Sequence, residues 1–125
     1  MSRPKLRHGS IVWVELLDPQ GRNPKIRPAV VVTPTDEITD EGSVHVIGIT
    51  SQANEAAADV TVDLPWHRNQ HPRTKLTRAS VAVCTWQQIV SVSEIVEIRG
   101  QVPVPEMMQI LAILNSVNQP PTDDA

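Results

Sequence analysis

Phenylalanine and tyrosine are absent from this chain of 125 residues, and only Trp13, Trp66 and Trp86 carry aromatic rings. The core must therefore be aliphatic. A binding platform made of rows of stacked aromatics is excluded, because such a platform needs more exposed rings than three. Cys84 is the single cysteine, so no intramolecular disulfide can form, which agrees with a reducing cytoplasm. Long apolar runs are missing too. The basic start from Met1 to His8 is not followed by a stretch of signal-peptide length, and runs such as Ala29 to Val32 fall far short of a membrane span. The expectation is a soluble cytoplasmic protein that does not enter a membrane.

The length suits one domain, expected over residues 1–118. A domain of this size buries roughly two-thirds of its unfolded surface and needs no staples. The tail from Gln119 to Ala125 is polar and proline-containing and is expected to be disordered. There are no internal repeats.

Net charge is −3, which by itself does not suggest a nucleic-acid binder. Its distribution does. Residues 1–35 carry six Lys/Arg against two acids, and residues 36–63 carry seven acids and no base. Residues 64–80 carry Arg68, Arg73, Lys75 and Arg78 with no acid, and residues 81–125 carry Arg99 against five acids. Two basic segments, each at +4, form a patch if the fold brings them together. Left apart, they are solvated loops.

Alternation of apolar and polar residues marks strands at Ile11 to Leu16, Val44 to Ile49, Val60 to Leu64 and Val96 to Arg99. Arg27 to Val32 is a further strand, in which Pro28 belongs at the start or at an edge because it cannot donate to a ladder. Val81 to Val92 is either one long strand or a bent pair. Asp18 to Lys25 and Pro65 to Arg78 are loops, and Asp36 to Gly42 is a polar connection with room for one helical turn. Pro105 to Asn118 is the single clear helix, with Met107, Ile110, Leu111, Leu114 and Val117 on one apolar face. Pro105 suits a first helical position and Glu106 the positive helix end. Strands followed by one helix, with no helices between them, define a mainly β (α+β) fold, a small antiparallel barrel with a C-terminal helix.

Several segments, in order, resemble one known family. Gly9-Ser-Ile-Val-Trp-Val-Glu-Leu-Leu-Asp18-Pro19, then Gly21, then Lys25-Ile-Arg27-Pro28-Ala-Val-Val-Val32 resembles the opening of MazF/PemK toxins. Ile47-Gly-Ile-Thr50-Ser51 is similar to that family's third-strand ending. Thr74-Lys-Leu76-Thr-Arg-Ala-Ser80-Val81-Ala-Val-Cys84 is similar to its entry into the fifth strand, and Gly100 followed by the last helix to its ending. Three positions depart from the pattern. Ser10 stands where an acid is common, and Lys75 where a glycine usually precedes the leucine. Val83-Cys84-Thr85 stands where some branches carry a catalytic Arg and Asp, so that pair is not transferred to this chain.

The resemblance implies an SH3-like barrel of the CcdB/MazF type. It also implies a toxin of a type II toxin–antitoxin system that cuts single-stranded mRNA at specific sequences without a metal or other cofactor. In that chemistry the RNA's own 2′-OH attacks the adjacent phosphate, and the protein orients the hydroxyl and stabilises the developing charge. Arg27 matches the family's catalytic arginine, whose planar donors fit phosphate oxygens. Thr50, with Ser51 beside it, matches the catalytic hydroxyl position. Read without the family, Arg27 caps a strand end and Thr50-Ser51 makes a turn. The basic segments supply RNA-binding candidates: Arg22, Lys25, Trp66, His67, Arg68, His71, Arg73, Lys75 and Arg78, with Trp66 set to stack on a base. His67 and His71 are also the candidates for a general base, and equally read as exposed loop histidines. Their spacing would suit zinc, but Pro65 and Pro72 bracket them and no further ligand stands nearby, so no metal site is expected. Cys84, on an apolar strand, reads as a buried thiol rather than a nucleophile.

The implied partners are single-stranded RNA, a cognate antitoxin with an acidic disordered tail, and a second copy in a homodimer. DNA would be met only through the antitoxin. The alternative is a catalytically inactive or gyrase-directed SH3-like barrel toxin or binding module. The polar, proline-rich C-terminus counts against gyrase, since a poison of that kind acts through its C-terminal end.

Overall fold

The computed structural model describes residues 5–52 and 57–118, so the tail expected to be disordered lies outside the described residues. Six strands form one antiparallel sheet: β1 (Ser10–Leu16), β2 (Lys25–Val31), β3 (Ser43–Thr50), β4 (Thr61–Leu64), β5 (Ser80–Ser91) and β6 (Glu97–Gln101). A C-terminal helix follows, α1 (Val104–Val117). The strand order is β4-β5-β3-β2-β1-β6, a curled half-barrel with β4 and β6 at its edges. The polar connection after β2 holds a single 3-10 turn, Thr35–Glu37.

Both faces of the sheet are buried, and the alternation within each strand sorts the residues between two cores. Val12, Val14, Leu16, Ala29, Val31, Val44 and Val46 fill the core on one face. Ile11, Val30, Val32, Ile47 and Ile49 point the other way and meet Met107, Ile110 and Leu114 of α1. Leu111 and Val117, expected on the same helical stripe, are instead 42% and 39% exposed. At about 100° per residue, Leu111 lies on the flank of the stripe away from Ile113, which packs in its place, and Val117 sits at the helix end. Pro105 lies at the second helical position, after Val104, with Pro103 as N-cap.

Strand β5 is one long strand that is also bent. Its partners on β3 jump from Ile47↔Gln87 to Ile49↔Ala82, so extra residues of β5 are extruded between them. Val81 and Val83 join the core of Val12 and Val14, and the bulge returns Trp86 and Val90 to that same face. The ring of Trp86 then lies flat on β3. A Cβ on Gly48 would meet its Cε3 at 2.1 Å, so only glycine fits beneath it.

Pro28 lies within β2, not at its start, yet it still ends a ladder. Pairing of β2 with β3 begins at Ala29↔Gly48, beyond the proline. That register extended would set Arg27 opposite Thr50. With no N–H on Pro28 to carry the ladder on, the strand ends part there. The site lies at this opening.

Candidate functional site

Arg27 is held from two sides. Its Nε donates to the Leu16 carbonyl at 3.2 Å and its Nη2 to the Asn23 carbonyl at 2.8 Å. Its guanidinium carbon stands 5.7 Å from the centre of the Trp86 ring, within reach of a cation–π attraction. Trp86 is fixed in turn, since its indole N–H donates to the Leu17 carbonyl at 2.9 Å.

The Asn23 carbonyl is placed by the β1–β2 loop, and Asp18 organises that loop. Its carboxylate accepts from the backbone N–H of Arg22 at 2.8 Å, that of Gln20 at 3.0 Å and the Asn23 side chain at 2.9 Å. The Arg22 amide is the main reason its carboxyl titrates below the usual carboxylate range. Asn23 adopts φ 53°, a left-handed conformation that asparagine tolerates better than most residues.

Thr50, half-buried at the end of β3, accepts the Gln52 N–H on its Oγ1 at 3.0 Å. Its own O–H remains available as a donor. Two cavities of about 620 and 720 Å³ meet at this point, and Lys25, Arg27, Thr50, Gln52 and Trp86 line both. The first runs between Trp13, Ser51 and the far loop, where Gln70, Lys75, Thr77 and Arg78 close it. The second is bordered by Asp18, Asp59, Val83 and Thr85.

The loop between β4 and β5 is shaped by its histidines. The His71 Nδ1 accepts from the backbone N–H of Arg73 and Thr74 at 3.1 and 3.2 Å, and the His67 Nδ1 from that of Asn69 at 3.0 Å. Thr74, buried, ties the loop's ends together by donating to the Pro65 carbonyl at 2.8 Å.

Of the residues singled out in the sequence, Arg27, Thr50, Ser51, Lys25, Lys75 and Arg78 converge on the first cavity. Trp66, His67, Arg68 and His71 do not line it. Trp66 is exposed on the outer part of the loop. Arg22 is exposed at the tip of the β1–β2 loop and Arg73 borders a separate small pocket. Trp13 and Trp86 were expected in the core, and Trp86 is buried there, yet both also line the cavity; Arg99 lines it with no role expected of it. Gly48, lone in an aliphatic strand, was the available signal for the close approach of Trp86. Cys84 is buried, and burial pushes its thiol up to about 11, so the thiolate a nucleophile needs is withheld. Among the described residues, no three His, Cys, Asp or Glu side chains gather as metal ligands.

Fold and site together define a small curled β protein with a cationic cleft at one end of the sheet. The profile of PemK-like, MazF-like toxins of type II toxin–antitoxin systems matches residues 7–117, and the chain belongs to that family. Among curated proteins none matches the sequence. Solved structures share the fold at low identity. MazF from Deinococcus radiodurans is 21% identical over 94% of this chain and 97% of its own, with a TM-score of 0.70. An endoribonuclease from a mycobacterial species, solved with its cognate antitoxin, is 17% identical over 94% and 98%, with a TM-score of 0.67. The MazE–MazF complex from Deinococcus radiodurans gives 21% over 94% and 97%, with a TM-score of 0.65.

Proposed function

We propose that this toxin is an endoribonuclease that cleaves single-stranded RNA by attack of the 2′-oxygen on the adjacent phosphorus, under control of a cognate antitoxin. The observation that carries the reading is the pairing of Arg27 and Thr50 where two cavities meet, each with donors left over after its structural bonds. Membership of the family and the likeness to a mycobacterial endoribonuclease support it.

The guanidinium of Arg27, with Nε and Nη2 anchored on carbonyls, presents its remaining N–H groups to the phosphoryl oxygens, where negative charge builds in the transition state. Thr50 adds one O–H donor, and Ser51 beside it another. The new 2′-O–P bond forms as the P–O5′ bond breaks and the departing O5′ takes a proton from water, giving a 2′,3′-cyclic phosphate and a 5′-hydroxyl. Asp18 and Asp59 are the carboxylates that border the second cavity among the described residues. Asp18 is committed to the loop, so we give Asp59 the role of accepting the 2′-hydroxyl proton. Complete loss of RNA binding in Asp59→Asn would argue against that role, since a proton acceptor affects the rate and not the hold.

Arg27→Ala should slow cleavage on the order of 100- to 1,000-fold, the usual cost of one preorganised oxyanion donor. Cleavage of a defined RNA by purified protein, read by 5′-end chemistry, measures this. Near wild-type cleavage by a folded Arg27→Ala protein, or cleavage of an all-deoxy strand, would refute the mechanism.

A further inference from the structure

A second cationic pocket lies beside the first cavity. It is small, about 170 Å³, and Lys5, Arg7, Arg73 and Arg99 line it, with Ser10 and Gln101. Three separate segments supply these cations, and β6 draws them together. The Gln101 backbone N–H donates to the Arg73 carbonyl at 2.9 Å, which docks the β4–β5 loop. The Gln101 side-chain amide donates to the His8 carbonyl at 2.9 Å, which docks the N-terminal segment. Gly100 permits the docking, because a Cβ there would stand 2.2 Å from the Thr74 carbonyl oxygen. Arg7 is fixed by reciprocal bonds with Ser10: its N–H donates to the Ser10 Oγ at 2.9 Å and its carbonyl accepts the Ser10 N–H at 2.9 Å.

Four positive charges gathered by these tethers repel one another. Among the described residues one ion pair offsets them: Glu97 holds Arg99 at 2.8 Å, on the open surface. Ser10 brings no charge to the pocket. Exposed cations repel only weakly in water, so the pocket stands without a ligand, and its unbalanced positive potential favours an anion. Arg99 decides which anion. It lies over the Trp13 ring at 5.7 Å, and it lines the first cavity as well as this pocket. Arg99 is thus the side chain that the two pockets share.

We propose that Lys5, Arg7, Arg73 and Arg99 form a phosphate subsite for the RNA strand whose scissile linkage lies at Arg27. The inference rests on the RNA-cleaving function given above. Its substrate consequence is that the enzyme grips a strand extending beyond the cleavage step, and short substrates lose that grip.

The test uses Arg7→Glu/Arg73→Glu, both exposed and outside the first cavity, with thermal melting to confirm an unchanged fold. Binding is measured on a single-stranded 2′-O-methyl RNA, which is not cleaved, across a salt series. Loss of two phosphate contacts should lower the slope of log K against log salt by about 1.4. With cleavable RNA, KM should rise for a long strand, while a dinucleotide filling only the first cavity should be cut as by wild type. An unchanged slope and an unchanged KM on the long strand would overturn the proposal. So would unchanged RNA binding alongside weakened binding of a poly-glutamate peptide, which would assign the pocket to an acidic protein segment. Failure of the wild type to bind or cut any RNA would instead overturn the function on which the subsite rests.

Discussion

At the scale of single residues, the hydroxyl and guanidinium of the site could be read in the chain because the family resemblance ran through them. Arg27 and Thr50 sit at strand ends recognisable from Pro28 and from Thr50-Ser51. Trp86 could not be read this way. It stands in an apolar run, and the parity of β5 alone would have turned it toward the helix. The bulge reverses that parity, and a bulge leaves no residue signature here. Trp86 backs the guanidinium with its ring and holds the Leu17 carbonyl, next to the Leu16 carbonyl that anchors Nε. Trp86→Phe keeps a ring under Arg27 and should retain most activity. Trp86→Leu should lose about 10-fold or more in kcat, on the order of the 1–2 kcal/mol such a contact supplies when partly desolvated. The split matters: KM should move less than kcat if Arg27 acts in the transition state as proposed, because the ring orients it. Equal cleavage by the Leu and Phe variants would remove the orienting role.

At the scale of elements, four strands and the helix could be read from periodicity, and β2 and β5 from their apolar runs. Leu111 and Val117 obey the helical period but lie outside the sheet's footprint, which depends on how the sheet curls and not on the helix's own sequence. The β4–β5 loop is a clearer case. Its charge pointed to RNA as a whole, yet half of it faces away from the cavity. Two of its histidines spend a ring nitrogen on backbone amides, a use that composition cannot reveal. The β1–β2 loop yields a pH prediction. Because the folded-state carboxyl of Asp18 titrates low, its contribution is present above the unfolded pKa of 3.8 and is lost as pH falls through the lower folded value. Acidification below about pH 4 should therefore loosen this loop before the sheet melts. Asp18→Ala should produce the same loosening at neutral pH, reducing kcat by freeing the Asn23 carbonyl from Arg27. Amide exchange of Arg22 measures it. Protection of that amide unchanged in Asp18→Ala would disprove the loop's dependence on Asp18.

At the scale of the whole molecule, a chain of net charge −3 sets eight of its 11 Lys and Arg along two pockets that share Arg99. Lys25, Arg27, Lys75 and Arg78 border the first cavity, and Arg99 lines both it and the pocket of Lys5, Arg7 and Arg73. Such a surface attracts any flexible polyanion, and a toxin that cuts RNA must be silenced until needed. An acidic inhibitor segment that orders on binding fits both demands. It gives up several kcal/mol in ordering but covers a long surface. We therefore expect the antitoxin to act by direct competition, laying acidic side chains along this cationic track. Binding should weaken steeply as salt rises, because most of its attraction is between charges. Titrating the partner against labelled 2′-O-methyl RNA should displace the RNA at one partner segment per site, and Lys75→Glu/Arg78→Glu should weaken both ligands together. A ternary complex, in which the partner binds fully while RNA stays in place, would show that inhibition works through a distant surface instead.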